Sequence, residues 1–129
     1  MLLYHATYKV RIASIKKLGL GAKQIKNYDW SNCNVVCLSD DPYLSESFLE
    51  AGVVENVAES VLKSGIVILT VHVNDLDLRL LSPDRNFRGE NINCFEYSGV
   101  IPPKLLGVWD ESGIVPLLHT KRIRGRDAW

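Results

Sequence analysis

The run Ile66-Val67-Ile68-Leu69-Thr70-Val71-His72-Val73 constrains the fold more than any other segment. β-Branched residues dominate it, and apolar side chains fall on both of its faces instead of alternating with polar ones. A strand of that kind has no solvent side, so it belongs in the middle of a sheet covered by other layers. Asn74-Asp75 ends it. A chain of 129 residues has the length of one domain, so residues 1–129 are expected to be arranged about this single strand.

The flanking segments give an order of elements. Leu2-Leu3-Tyr4-His5 reads as a short first strand. From Tyr8 to Leu18, Ile12, Ile15 and Leu18 follow helical spacing, with Lys16 and Lys17 facing out, Thr7 as N-cap and Gly19 as the stop. A polar loop runs to about Cys33. Val35-Val36-Cys37-Leu38 is a compact apolar run that reads as a buried strand. Asp41-Pro42 opens a helix whose apolar face carries Leu44, Phe48 and Leu49, and a weaker helical pattern runs from Val54 to Leu62. Asp84 to Asn93 lacks periodicity and reads as an exposed loop. Cys94-Phe95-Glu96-Tyr97, Leu105 to Trp109 and Ile114 to Leu118 are expected strands, with a turn at Pro102-Pro103. Helices early and strands late make an α+β domain, rich in antiparallel pairing.

Composition excludes several classes. Hydrophobic residues are 47% and charged residues 23%, values of an ordinary soluble domain. No apolar run is long enough to span a bilayer, and Met1-Leu2-Leu3-Tyr4-His5 lacks the pattern of a signal peptide. A cytoplasmic protein with no membrane partner is expected. Cys33, Cys37 and Cys94 are an odd set without close pairing, read as reduced thiols. His5, His72 and His119 do not complete any common zinc spacing with them, so no metal is expected. Fifteen basic and fifteen acidic side chains cancel. The charge is nonetheless uneven: Asp40 to Glu59 is acidic, while Lys121, Arg122, Arg124 and Arg126 make a basic tail over 121–129. That tail reads as a solvated, frayed terminus, with contact to a phosphate backbone or an acidic partner as the alternative.

Glu96 stands out chemically. It lies between Phe95 and Tyr97 in a strand expected to pack on the core, where an unpaired carboxylate is costly. A carboxylate so placed is either paired or used. His5, at a strand end, has by itself the look of a locally satisfied histidine.

Together these blocks resemble a family. Tyr4-His5-Ala6-Thr7 followed by a helix ending Lys17-Leu18-Gly19-Leu20 resembles the opening of ADP-ribosyltransferases of the diphtheria-toxin and poly(ADP-ribose) polymerase type, where a His-Gly-Ser/Thr strand precedes such a helix. Val36-Cys37-Leu38-Ser39-Asp40, with Ser45 and Phe48 in the helix behind it, is similar to the family's second block. Cys94-Phe95-Glu96-Tyr97 resembles the Asn-Glu-Tyr strand that carries its catalytic glutamate. Order and spacing agree over most of the chain, although each block alone is weakly specific. The resemblance implies a split antiparallel β-sheet core with flanking helices and NAD as substrate.

It also implies roles. Glu96 would hold the nicotinamide-ribose 2′-hydroxyl and stabilise the cation that forms as the glycosidic bond breaks. His5 would hydrogen-bond a ribose hydroxyl of NAD. The backbone of Ala6 would hold the nicotinamide carboxamide, with Thr7 beside it. Ser45 would bond the same carboxamide and Phe48 would stack on the ring. Cys37 stands where the family has tyrosine, and Ala6 where it has glycine, so the His-Tyr-Glu pattern is met at His5 and Glu96 alone. Tyr43 or Tyr28 would be a substitute ring.

The activity so implied is mono-ADP-ribosyl transfer to a protein or nucleic-acid acceptor, with a bacterial or phage toxin as the model. A toxin would have a neutralising partner protein. Cys94, two residues before Glu96, lacks the Glu or Gln of many arginine- and Rho-modifying toxins, and the histidine-arginine set of RNA 2′-phosphotransferases is not met. Two other readings stay open: a catalytically degenerate module that binds NAD, ADP-ribose or a macromolecule, and a purely structural module in which Glu96 is surface-exposed and remote from His5.

Overall fold

The computed structural model describes residues 1–22, 35–51, 59–83 and 93–121, apart from the side chains at 48, 50 and 51. Among the described residues, seven strands form one antiparallel sheet: β1 (Leu2–Tyr8), β2 (Val36–Ser39), β3 (Ile66–His72), β4 (Leu81–Pro83), β5 (Cys94–Tyr97), β6 (Gly107–Asp110) and β7 (Gly113–Pro116). Their order across the sheet is β4-β5-β2-β1-β3-β6-β7. The helices are α1 (Ile12–Leu18), α2 (Pro42–Ala51) and α3 (Glu59–Lys63). The architecture is α+β. As its composition requires, β3 lies inside, paired with β1 on one side and β6 on the other, and buried from Ile66 through Val71.

Several boundaries differ from the sequence expectation, each for a tertiary reason. β1 runs three residues past His5, because β3 offers it partners as far as Tyr8 opposite Ile66. Thr7 is therefore a buried strand residue opposite Val67, not a helix cap. A 3-10 turn, Lys9–Arg11, intervenes before α1, and its cap residue Tyr8 makes no side-chain cap bond. Gly19 does end the helix, at φ 90° with its amide bonded to Ile15 O at 2.8 Å. Lys16 is half-buried and donates to Thr120 O, so only Lys17 faces out freely. Leu105 and Leu117 sit in 3-10 turns, which shortens the strands expected at Leu105 to Trp109 and Ile114 to Leu118. Sequence reading did not find β4, a short edge strand ending in Pro83, a residue tolerated where one side of the ladder is open.

Helix α2 starts as its sequence dictates. Asp41 Oδ1 accepts from Tyr43 N at 2.8 Å and Leu44 N at 3.4 Å, and Pro42, which has no amide hydrogen, takes the first position. The expected helix over Val54 to Leu62 is seen as α3 from Glu59; 52–58 lie outside the described residues, as do Tyr28, Cys33, 84–92 of the expected loop and the tail from 122.

The sheet is covered on both faces. Ile12 and Ile15 of α1 pack with Leu3, Val36, Leu38, Val67, Leu69, Val71 and Tyr97. On the other face Ala6, Tyr8, Cys37, Ile66, Ile68 and Cys94 pack with Leu49, and Leu44 of α2 and Val61 and Leu62 of α3 close over them. Each face buries enough apolar surface, at about 25 cal/mol per Å², to fix the strand register, since a one-residue slip would exchange the two sets. Among the described residues no helix is long and apolar enough to cross a membrane.

Candidate functional site

The seam between β1 and β2 is the weakest junction in the sheet. β1 pairs with β3 over its whole length, and β2 pairs with β5 over its whole length, yet β1 and β2 meet at one register position, Tyr4 opposite Ser39. Beyond it the strands are joined by side chains. His5 Nδ1 lies 2.8 Å from Cys37 O in a buried setting. His5 is 3% exposed, and this burial pushes its pKa down from 6.5 to about 4, against the smaller upward pull of the Cys37 carbonyl. The imidazole is therefore neutral at pH 7. A carbonyl only accepts, so Nδ1 carries the proton and Nε2 is the acceptor nitrogen.

Cys37 also faces Glu96. The two are directly opposed in the β2–β5 ladder, and Ser39 is opposed to Cys94 one step along. Opposed residues share a face, so Cys37, Ser39, Cys94 and Glu96 all project toward α2. Cys37 and Cys94 are buried, whereas Glu96 is half-buried. Glu96 is thus neither sealed in the core nor a bare surface group. His5 alternates with Leu3 and Thr7 and so leaves β1 toward the α1 side, and its ring bonds β2 at the Cys37 carbonyl.

Ser45 joins the seam from above. Its hydroxyl lies 3.0 Å from Tyr4 O and 2.7 Å from Ser39 Oγ, and Ser39 Oγ is also 2.8 Å from Asp41 O. Two hydroxyl protons serve three short contacts, so one contact at a time goes without a proton. Ser45 is 2% exposed and Ser39 is fully buried. The hydroxyl that the family resemblance gives to a carboxamide is here held by the protein itself. Ala6 and Thr7 are fully buried in β1. The Phe48 side chain lies outside the described residues. Tyr43 makes an edge contact with Trp109 of β6 at 5.6 Å, and Trp109 meets Tyr4 at 6.2 Å. No protein-family model, no curated protein and no solved structure matches the chain.

Sequence reading missed Ser39 and the pair that steadies the Glu96 strand. Asn93 Nδ2 donates to Asp40 Oδ2 at 2.7 Å, and Asp40 N donates to Asn93 O at 3.1 Å, which clamps the end of β2 to the start of β5. The signal was present: a polar Ser39-Asp40-Asp41 cluster directly after an apolar strand has buried partners to find. Among the described residues, no group of three or more His, Cys, Asp or Glu side chains is arranged to hold a metal ion.

Proposed function

We propose that the protein is a mono-ADP-ribosyltransferase that cleaves NAD at the nicotinamide–ribose bond and passes ADP-ribose to a protein or nucleic-acid acceptor. One observation carries the reading: His5 and Glu96, far apart in the chain, are brought to the same position of β2, His5 bonding the Cys37 carbonyl from the α1 side and Glu96 standing opposite Cys37 on the α2 side. They do so at the seam where the β1–β2 ladder is one pair long. The family resemblance at Tyr4-His5-Ala6-Thr7, Cys37 with Ser45 and Phe48, and Cys94-Phe95-Glu96-Tyr97 supports it independently.

The chemistry follows from the residue states. Loss of nicotinamide builds positive charge on the ribose, and a half-buried Glu96 carboxylate beside it stabilises that charge more than water would. The same carboxylate holds the ribose 2′-hydroxyl and takes the acceptor's proton as the new bond forms. Neutral His5, with Nε2 as its acceptor nitrogen, receives a hydrogen bond from a ribose hydroxyl and brings no positive charge to compete with the forming cation. The family resemblance gives the carboxamide to the Ala6 backbone with Thr7 beside it, and the nicotinamide ring to Phe48.

A second reading, a degenerate module that binds NAD or ADP-ribose without turnover, is favoured by two observations. Cys37 supplies no ring, and the Ser45 hydroxyl is engaged by Tyr4 O and Ser39. NAD calorimetry together with nicotinamide release, wild type against Glu96→Gln, separates the two. Release that falls at least about 100-fold in the variant, with binding kept, establishes the enzyme. Binding without release in either protein favours the module, and an absence of binding overturns both.

A further inference from the structure

We propose that Tyr4, Tyr43 and Trp109 form an aromatic corner that binds a quaternary ammonium group. The rings come from three separate elements. Tyr4 stands on β1 and Trp109 on β6, the strands on either side of β3, and both are half-buried against the core of the α2 face. Tyr4 is opposite Thr70 and Trp109 is opposite Ile68, so the two rings meet over β3. Tyr43, at the second position of α2, reaches Trp109 from the helix and is still 53% exposed. Ile114 stands beside them as the ladder partner of Trp109 on β7. Gly107 lets it come close: an added Cβ there would lie 2.6 Å from Thr70 Oγ1 and 2.7 Å from Ile114 Cγ2.

Geometry selects the shape of the ligand. The plane of Tyr4 stands at 82° to the indole with centroids 6.2 Å apart, and that of Tyr43 at 89° with centroids 5.6 Å apart. A flat base is gripped between parallel faces. Walls at right angles instead enclose a compact, rounded group, which is the shape of a methylated nitrogen. Indole is also the side chain that attracts a cation most strongly. With half of Tyr43 open to solvent, the corner faces water and is not sealed packing.

Charge selects its sign. Residues 1–8, 35–51 and 105–120, the stretches that supply the rings, contain no lysine or arginine, in a chain with fifteen such residues. They do contain Asp40, Asp41, Glu46, Asp110 and Glu111. Glu46 lies one helical turn after Tyr43, and Asp110 follows Trp109 in β6. Elements of one sign concentrate ions of the other. Methylation matters because ring faces are poor substitutes for the water that a bare ammonium's N–H groups give up, and a quaternary nitrogen has no N–H to satisfy. The corner is centred over β3, with β1 and β2 between it and the Glu96 strand. It stands independently of the reading of the Glu96 seam.

The test is titration calorimetry of the full chain with choline, beside 3,3-dimethylbutanol, its uncharged carbon isostere. Choline is expected to bind with a Kd of about 1 mM or tighter, and the isostere at least about fivefold more weakly. Tyr43→Ala is expected to weaken choline binding at least about fivefold, while Tyr43→Phe, which keeps the ring, stays within about twofold of wild type. Trp109→Leu is expected to lose at least as much as Tyr43→Ala. Circular dichroism melts establish that each variant is folded; Tyr43 is exposed, so its truncation keeps the test open if Trp109→Leu unfolds. A trimethyl-lysine peptide is titrated in parallel with its unmethylated form. Methylation-dependent binding tighter than that of choline supports the corner with the group carried on a protein, and choline as the tighter ligand supports it with a small molecule as carrier. Absence of binding by choline and the methylated peptide up to about 20 mM overturns the proposal. So does an isostere that binds as well as choline, or a folded Tyr43→Ala that binds like wild type. The titrations contain no NAD, so their failure leaves ADP-ribosyl transfer untouched.

Discussion

Cys37 stands directly opposite Glu96 in the β2–β5 ladder, so thiol and carboxylate leave the sheet on the same face, about 4.5–5.5 Å apart at Cβ. If that face is the nicotinamide pocket, the thiol occupies the place of a ring. Cys37→Tyr is then expected to tighten NAD binding by roughly tenfold, the worth of one aromatic stack. Calorimetry reads the change. A variant that melts without binding more tightly assigns Cys37 to packing alone.

Burial of His5 links stability to pH. Its folded pKa of about 4 lies below the unfolded value of 6.5. Between those values the unfolded chain takes up a proton that the folded chain refuses, so stability rises with pH across the window and levels off above it. The full swing is about 3 kcal/mol, lost as pH falls from 6.5 to 4. Urea titrations at several pH values are expected to give a slope there in the wild type and a flatter profile in His5→Gln, which keeps a donor for Cys37 O.

Ser39 and Ser45 share too few protons for their contacts, so their contributions are expected not to add. Ser45→Ala strips a partner from Tyr4 O and from Ser39, at a cost of about 1–3 kcal/mol. In a double-mutant cycle with Ser39→Ala, the double variant is expected to lose less than the two single losses combined. Strict additivity would mean that the hydroxyls act separately.

Gly19 joins α1 to the bridge between Leu20 and Ile101. Its φ is 90°, and an added Cβ would lie 2.7 Å from Val100 Cγ1 and 2.8 Å from Ile101 O. The second neighbour is backbone and cannot rotate away. Gly19→Ala is expected to cost at least about 2 kcal/mol, seen as a lower urea midpoint at unchanged m-value.

What could be read in advance follows a physical division. The β3 run, the strand around Cys37, the Asp41-Pro42 helix start and the Glu96 strand all follow from local pattern and from residues with one strong preference. The end of β1 does not, because Thr7 and Tyr8 are extended only through their partners Val67 and Ile66. Likewise β4 exists as a strand because β5 offers it an edge. Within the candidate site, His5 and Glu96 could be singled out by residue type and order. The occupation of Ser45 by Tyr4 O and Ser39, and the turning of Tyr43 toward Trp109, depend on how α2 lies on the sheet, which no local pattern specifies.

The one-pair seam has an evolutionary consequence. Where two strands share a full ladder, their spacing is fixed by backbone groups that every sequence possesses, and selection has little to act upon. At the β1–β2 seam the spacing is set largely by an imidazole, two serine hydroxyls and the apolar side chains beneath them. Single substitutions at His5, Ser39 or Ser45 can therefore widen or narrow the gap between the two halves of the sheet without redrawing the fold, a freedom that a full ladder denies to its strands.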